Sequence, residues 1–288
     1  MPDLVVVTGA LGNVGAGVVA ALAGRDVAVR VADINEAALA ERFPDCDRAM
    51  LDFTDPSTFD AVVAGARRLF LIRPPAISRV SNTINPFIDA AQDHDVAHVV
   101  FSSVAGAESN RIVPHHRIEA HLTASSMAWT MLRPGFFDQN IATAYRQDIV
   151  EDDRIYVPAG DGLVAFIDAR DIGEVAAMCL SEAGHEMQGY HLTGPEAVTF
   201  EQVAAVLSNH LGRTITYEPA SVLGYFRHLR SQGLVLPHAV VQTILHTGLR
   251  TGDAEAVTST VQDLLGRPAR SLSEYIADNL ELWRPTSP

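Results

Sequence analysis

Val5-Val6-Val7-Thr8-Gly9-Ala10-Leu11-Gly12-Asn13-Val14-Gly15 decides the reading of this chain. Its leading run is β-branched and unbroken by polar residues, the pattern of a strand buried on both faces. Three glycines then recur at a spacing of three, and Ala16 to Ala23 reads as an apolar helix. Strand, tight turn and helix N-terminus follow in that order. A turn without side chains lets a phosphate approach the backbone. The first helical turn adds unpaired N–H groups and the positive end of the helix dipole. The stretch is therefore expected to cradle the pyrophosphate of a dinucleotide, with Thr8, Gly9, Leu11, Gly12, Asn13, Val14 and Gly15 along the ligand. An ordinary βα turn uses glycines too; the preceding strand and following helix favour the cradle.

Outward from this stretch, strand and helix signals alternate. Val27 to Ala32 reads as a second strand ending at Asp33, Arg48 to Leu51 as a third and Leu69 to Ile72 as a fourth, stopped by Arg73-Pro74-Pro75. His98 to Phe101 and Trp129 to Leu132 read as the fifth and sixth strands. Helices are expected around Pro56–Gly65, Val80–His94 and His115–Ser125. That rhythm defines an α/β fold with a Rossmann-type, doubly wound parallel sheet. Right-handed crossovers place the carboxyl ends of its strands on one ligand-binding edge. From Phe136 the rhythm changes. Asp138 to Val150 reads as a long connection or helix, Ile167 as the start of a helix running to Ser181, and Tyr190 to Gly194 as a late strand. Thr199 to Leu211 is an amphipathic helix with Thr199 as N-cap and Gly212 as its stop. The expected division is a dinucleotide-binding lobe over 1–135, completed by parts of 163–194. A smaller, mostly helical substrate lobe over 136–288 interleaves with it and caps the ligand edge.

Composition narrows the function. With 288 residues, 48% hydrophobic and 19% charged, the chain has material for a large core. A net charge of −14 without any basic run argues against nucleic-acid binding. No apolar run approaches the roughly 20 residues of a membrane span, and the N-terminus enters a strand without a leader pattern, so a cytoplasmic location is expected. Cys46 and Cys179 are read as buried thiols rather than a disulfide. All 21 Lys+Arg residues are arginine. Any mechanism that needs a lysine is excluded, including Schiff-base chemistry and a Tyr-x-x-x-Lys dyad.

Asp33 lies 18 positions beyond Gly15 (33 − 15), where a carboxylate meets the adenosine ribose. It favours the free hydroxyls of NAD(H). The 2′-phosphate of NADP(H) at ~4 Å and an effective dielectric near 20 costs roughly 4 kcal/mol, and neither Ile34 nor Asn35 supplies a cation. Helix capping by Asp33 is the competing role.

These pieces together resemble the NmrA-like family of atypical short-chain dehydrogenases/reductases over nearly the whole length. The resemblance rests on Thr8 to Gly15, His116-Arg117-Ile118-Glu119, Trp129 to Phe137, Phe166 to Ile172, Tyr190 to Glu196 and Leu265-Gly266-Arg267-Pro268. It implies an NAD(P)-binding lobe and a small helical lobe closing a substrate cleft. The family holds quinone reductases, oxidative tailoring enzymes of aromatic polyketides, and regulators that bind the dinucleotide without turnover. Family reductases place a catalytic lysine or histidine 15 residues before the position of Thr130; here that residue is His115.

His115 is thus the first candidate for an acid/base group, with Glu119 one helical turn along on the same face to orient it. A solvated helix histidine is the plainer role. Ser102, ending the fifth strand, is the third catalytic candidate, and Ser103 beside it is expected to touch substrate. Asp52, Phe53, Ile72, Arg73, Pro74, Pro134 and Phe136 are assigned to the cofactor, with Arg73 able to reach a phosphate. Phe137 and Asn140 are assigned to the substrate. Apolar and aromatic residues of the second lobe suit a flat aromatic ligand better than a sugar. No HExxH, GxSxG or zinc spacing occurs. The expected function is an NAD(H)-binding oxidoreductase acting on a phenolic or quinonoid molecule, by reduction or by oxygenation of an electron-rich phenol. Aromatic polyketide tailoring in secondary metabolism is a setting that suits it, and a homo-oligomer is a plausible assembly. A redox-sensing protein that holds the dinucleotide without consuming it is the alternative.

Overall fold

Alternating strand and helix propensities become a parallel sheet wrapped by helices. A computed structural model describes residues 2–284. The chain begins with β1 (Asp3–Thr8), α1 (Asn13–Leu22), β2 (Val27–Asp33), α2 (Glu36–Arg42), β3 (Asp47–Met50) and α3 (Phe59–Val63). It continues through β4 (Arg68–Ile72), α4 (Ile84–Asp93), β5 (His98–Ser102), α5 (Pro114–Ala124) and β6 (Ala128–Pro134). Then come β7 (Phe136–Phe137), α6 (Gln139–Thr143), α7 (Arg146–Glu151), β8 (Arg154–Val157) and β9 (Phe166–Ile167). After these lie α8 (Ala169–Ser181), β10 (Gln188–Leu192), α9 (Phe200–Leu211) and β11 (Thr216–Pro219). Four α-helices follow among the described residues: α10 (Val222–Ser231), α11 (Leu236–Gly248), α12 (Thr260–Leu265) and α13 (Leu272–Asp278).

Two compact units share this order. The first runs through Pro134 and regains Ala169–Leu192; the second comprises Gly135–Asp168 and the chain from Thr193. The first unit holds a seven-stranded sheet in the order β10-β6-β5-β4-β1-β2-β3. Every neighbouring pair is parallel. Strand order reverses between β1 and β4, which makes the carboxyl ends of these two strands the switch point where ligands of such sheets bind. Val5, Val6 and Val7 are fully buried, as a strand covered on both faces requires. One face packs an edge-to-face aromatic cluster in which Phe53 and Phe59 each meet Phe87 at 5.2 Å.

The second unit has its own core, built around Tyr145, Phe166, Phe200, Tyr225 and Trp283. α9 starts on a capping box between Thr199 and Gln202 and stops at Gly212 in the left-handed conformation, as its sequence predicts. Two small parallel pairs, β8 with β11 and β7 with β9, were not anticipated. Strands of two to four residues carry too few alternations to register as a period. The stretch expected as one long connection or helix, Asp138 to Val150, is two short helices, α6 and α7. Ile167 closes β9 instead of opening the following helix.

Candidate active site

The glycine turn is shaped by contacts that exclude a side chain. Gly9 has φ +61°, and a Cβ there would lie 2.5 Å from Ile72 Cγ2 at the end of β4. A Cβ on Gly15 would collide with the Gly9 carbonyl oxygen. These approaches fold the turn back so that Gly12 N–H donates to Gly9 O at 3.0 Å and Gly12 becomes the N-cap of α1. Among the described residues no side chain caps that helix, and its first turn carries no acidic residue. Its N–H groups and positive dipole end therefore face the carboxyl edge of the sheet, with Gly12 and Asn13 exposed. A cradle of this kind fits a pyrophosphate.

Other expected cofactor residues divide into two groups. Asp33 closes β2 with its carboxylate on the turn: Leu11 N–H donates to Oδ2 at 3.2 Å and Ile34 N–H to Oδ1 at 2.8 Å. Those bonds leave lone pairs for a ribose hydroxyl. Thr8, by contrast, is fully buried. Its hydroxyl donates to Phe70 O and accepts from Ile72 N–H, both at 3.0 Å. It fastens β1 to β4 and is withdrawn from the ligand. Val14 is 2% exposed and Phe53 5%; both side chains belong to the core rather than to an open wall. Asp52 accepts from the N–H and hydroxyl of Thr54, which lowers its carboxyl below the usual range. Pro134 ends β6, where its carbonyl accepts from Ala105 N–H at 2.9 Å.

The expected His115–Glu119 pair is corrected by the side-chain partners. Glu119 is buried and turned to β6, where Arg133 Nε donates to its Oε1 at 3.1 Å and Nη2 to its Oε2 at 2.8 Å. Ser103 Oγ donates to the same carboxylate at 2.6 Å. Arg133 also meets Glu108 at 3.3 Å, and Glu108 meets His191 at 3.3 Å. A guanidinium at the end of a buried strand needs a carboxylate, and α5 supplies it. Glu119 is thus committed to Arg133 and Ser103, and the Ser103 hydroxyl to Glu119. Ser102 differs. It is 4% exposed, and its hydroxyl makes no hydrogen bond among the described residues, so it remains a candidate contact.

His115 has a different neighbour. Arg73 Nε donates to His115 Nε2 at 3.3 Å. Arg73 Nη1 bonds the carbonyls of Pro74 at 2.9 Å and Ile77 at 2.5 Å, tying down its own loop. The cation expected to reach a phosphate is engaged in this way. Burial, and then the Arg73 charge, push the His115 imidazole down to about 3. With Nε2 accepting, the neutral ring carries its hydrogen on Nδ1. His115 is a neutral hydrogen-bond donor, not an imidazolium acid.

Phe136, Phe137 and Asn140 belong to the second unit. Phe136, half-buried, packs edge-to-face on Phe166 at 6.0 Å and His246 at 5.6 Å. Phe137 and Asn140 are half-buried. Sequence reading missed Arg42, whose Nη1 donates to the Leu11 carbonyl at 2.8 Å. Asp33 and Arg42 therefore hold Leu11 by its N–H and its carbonyl, in two successive peptide units. The signal was available: a basic residue in the last turn of α2 follows Asp33 by nine positions (42 − 33).

Glycine turn, switch point and ribose-side carboxylate together define the class: a Rossmann-type dinucleotide-binding fold. The NmrA-like family profile matches residues 1–279, and the chain belongs to that family. It is 34% identical over 228 residues to an NAD(P)H azoreductase of Xenophilus azovorans, covering 78% of this chain and 79% of the relative. The NADPH complex of an NADPH-dependent quinone oxidoreductase of Escherichia coli superposes with a TM-score of 0.86 at 26% identity, over 96% of this chain and 99% of that one. Triphenylmethane reductase of Citrobacter sp., complexed with NADP(H), shares the fold with a TM-score of 0.84 at 22% identity, over 96% and 99% of the two chains.

Proposed function

We propose that this chain is a nicotinamide-dinucleotide oxidoreductase that reduces a quinonoid or related aromatic small molecule. The observation that carries the reading is the Gly9–Gly15 turn, which presents the uncapped N-terminus of α1 at the carboxyl edge of the parallel sheet beside Asp33. The azoreductase and quinone oxidoreductase relatives support reduction rather than oxygenation.

A nicotinamide dinucleotide, when bound, supplies a hydride. The chain's own residues do the rest. Gly12 to Gly15 and the α1 N-terminus hold the pyrophosphate, and Asp33 accepts from the adenosine ribose. His115, kept neutral by burial and Arg73, donates a hydrogen bond from Nδ1 to an acceptor carbonyl oxygen and offsets the negative charge that develops there. The proton that completes a hydroquinone is drawn from water, because a neutral imidazole is a poor proton source at neutral pH. Ser102 adds a hydroxyl as a second donor at the same edge.

NAD(H) is the preferred form in this reading. Asp33 is the reason: its carboxylate opposes a 2′-phosphate. Arg42 on the far side of Leu11 softens that opposition, so the preference is about tenfold rather than the roughly thousandfold that an unshielded charge pair of ~4 kcal/mol gives. Isothermal titration with NADH and with NADPH tests it, alongside anaerobic oxidation of NADH by a simple naphthoquinone and by an azo dye. NADH binding about tenfold tighter, with turnover, is expected. Equal or tighter NADPH binding overturns the cofactor assignment. Tight binding without turnover of either acceptor overturns the enzymatic one in favour of a redox sensor.

A further inference from the structure

The second unit carries an apolar face that its own core does not use. α11 buries Ala239, Thr243 and His246 along one side. On the other side Leu236, Val240, Val241, Ile244 and Leu245 are 41% to 65% exposed, and Val235 just before the helix is 55% exposed. Scattered apolar residues on a surface need no explanation, whereas contiguous rows of them mark a contact. These residues form rows. Leu236, Val240 and Ile244 make one ridge at a spacing of four, and Val241 with Leu245 makes the ridge beside it. α10, packed against α11, exposes Val222 and Leu223 as well.

Charge and size point to what covers the face. α11 contains no Asp, Glu or Arg, in a chain whose net charge is −14. Two copies of so acidic a chain repel over most approaches, and a helix without charges is a place where they can meet without burying like charges. The groove between the two ridges accepts the same ridge of an identical helix. Such self-complementarity is what a two-fold interface requires, at the crossing of about −50° typical of paired i±4 ridges. The exposed side chains offer on the order of 600 Å² per copy, close to the roughly 800 Å² per partner of a standard interface.

We propose that α11 is the seam of a homodimer, packed against α11 of a second copy across a two-fold axis. The inference does not depend on the proposed activity. Sedimentation velocity of the full chain over a concentration series tests it, and a mass twice the 31.0 kDa of one chain is expected. Ile244→Glu, at a position 65% exposed and so harmless to the fold of one copy, should weaken the dimer about 100-fold or more while leaving the circular dichroism unchanged. Val240→Cys, in a Cys46→Ser background, should give a disulfide-linked dimer under mild oxidation, because the centre of the long ridge lies near the axis. A monomer at all concentrations overturns the proposal, as does a dimer indifferent to Ile244→Glu. So does a monomeric chain that co-sediments with phosphatidylglycerol vesicles, or one in which Ile244→Glu raises KM without changing mass; either result gives the face a different occupant.

Discussion

Two regions on the same sheet edge present their chemistry in opposite ways. At the glycine turn the working groups belong to the main chain: the N–H groups that open α1, aimed by the close approach of Gly9, Gly12 and Gly15. Their charge does not titrate, and packing alone orients them. Along α5 the working groups are side chains, and each one's state is set by a partner from elsewhere. Burial, seconded by Arg73 from the loop after β4, holds His115 neutral, and Arg133 from β6 claims Glu119. The first region resists pH and most substitutions but no change of backbone; the second tolerates backbone adjustment and depends on who its neighbours are. A site of this design separates holding a ligand from acting on it.

The sharpest way to break the first half of that comparison is Gly15→Val. Its side chain collides with the Gly9 carbonyl oxygen, main chain that cannot rotate away. Overpacking against backbone should cost about 3 kcal/mol or more of stability. Dinucleotide binding should weaken by more than the stability loss explains, since the turn itself is displaced. Urea unfolding and titration calorimetry on the same variant measure both, and wild-type affinity in Gly15→Val would remove the turn from the site.

The second half is tested by separating two residues that lie four apart on one helix. His115→Ala should lower turnover about 10²-fold with dinucleotide affinity intact, as expected for the loss of one positioned donor. Glu119→Ala should do the reverse. It leaves the Arg133 guanidinium and the Ser103 hydroxyl without their carboxylate, so thermal stability falls by about 3 kcal/mol while kcat stays within a few-fold. Equal kinetic losses in the two variants would restore them as one catalytic pair.

How much of this was legible beforehand follows the same divide. The cradle, the strand ends and Asp33 were readable because local spacing alone determines a βα turn and the residue that ends the next strand. The partnership of Glu119 with Arg133 was not, because helical periodicity puts His115 and Glu119 on one face and says nothing of what that face meets. A guanidinium closing an apolar strand was the overlooked sign, since a buried cation demands a carboxylate. Thr8 went astray for a related reason. Motif position located it correctly in the chain, but the direction of its side chain is settled by packing, toward Phe70 O.

Burial of histidines extends the comparison to the whole fold. His98 and His246 are each pushed down to about 4, chiefly by burial, and His115 to about 3. All three bind a proton more readily when unfolded, near pH 6.5, so the unfolded chain takes up more protons between about pH 6.5 and 4 and stability falls with pH across that window. Each contributes about 0.7 kcal/mol of loss between pH 7 and 6, or about 2 kcal/mol together. The urea midpoint should drop accordingly and flatten above pH 7. The cradle makes no such demand: dinucleotide affinity of the folded protein should stay level over the same interval.

Smallest, and most specific to the α5 edge, is the effect of Arg73→Met. Burial is the larger cause of the depressed His115 imidazole and the Arg73 charge the smaller. Removing the cation therefore moves the imidazole upward from about 3 without returning it to 6.5. Wild-type kcat/KM should show no histidine limb on the acid side down to the pH at which the protein unfolds. Arg73→Met should keep that profile while its His115 ring, followed by NMR, titrates at a higher pH than in the wild type, less than half way back to 6.5. The direction follows from electrostatics: without the Arg73 cation a proton on Nε2 is less opposed, and the imidazolium so formed keeps its Nδ1 donor. Arg73→Lys keeps the charge beside the ring and should keep the wild-type titration of His115. If the ring titrates alike in both variants, burial alone governs His115 and Arg73 serves only to fasten the Pro74–Ile77 loop.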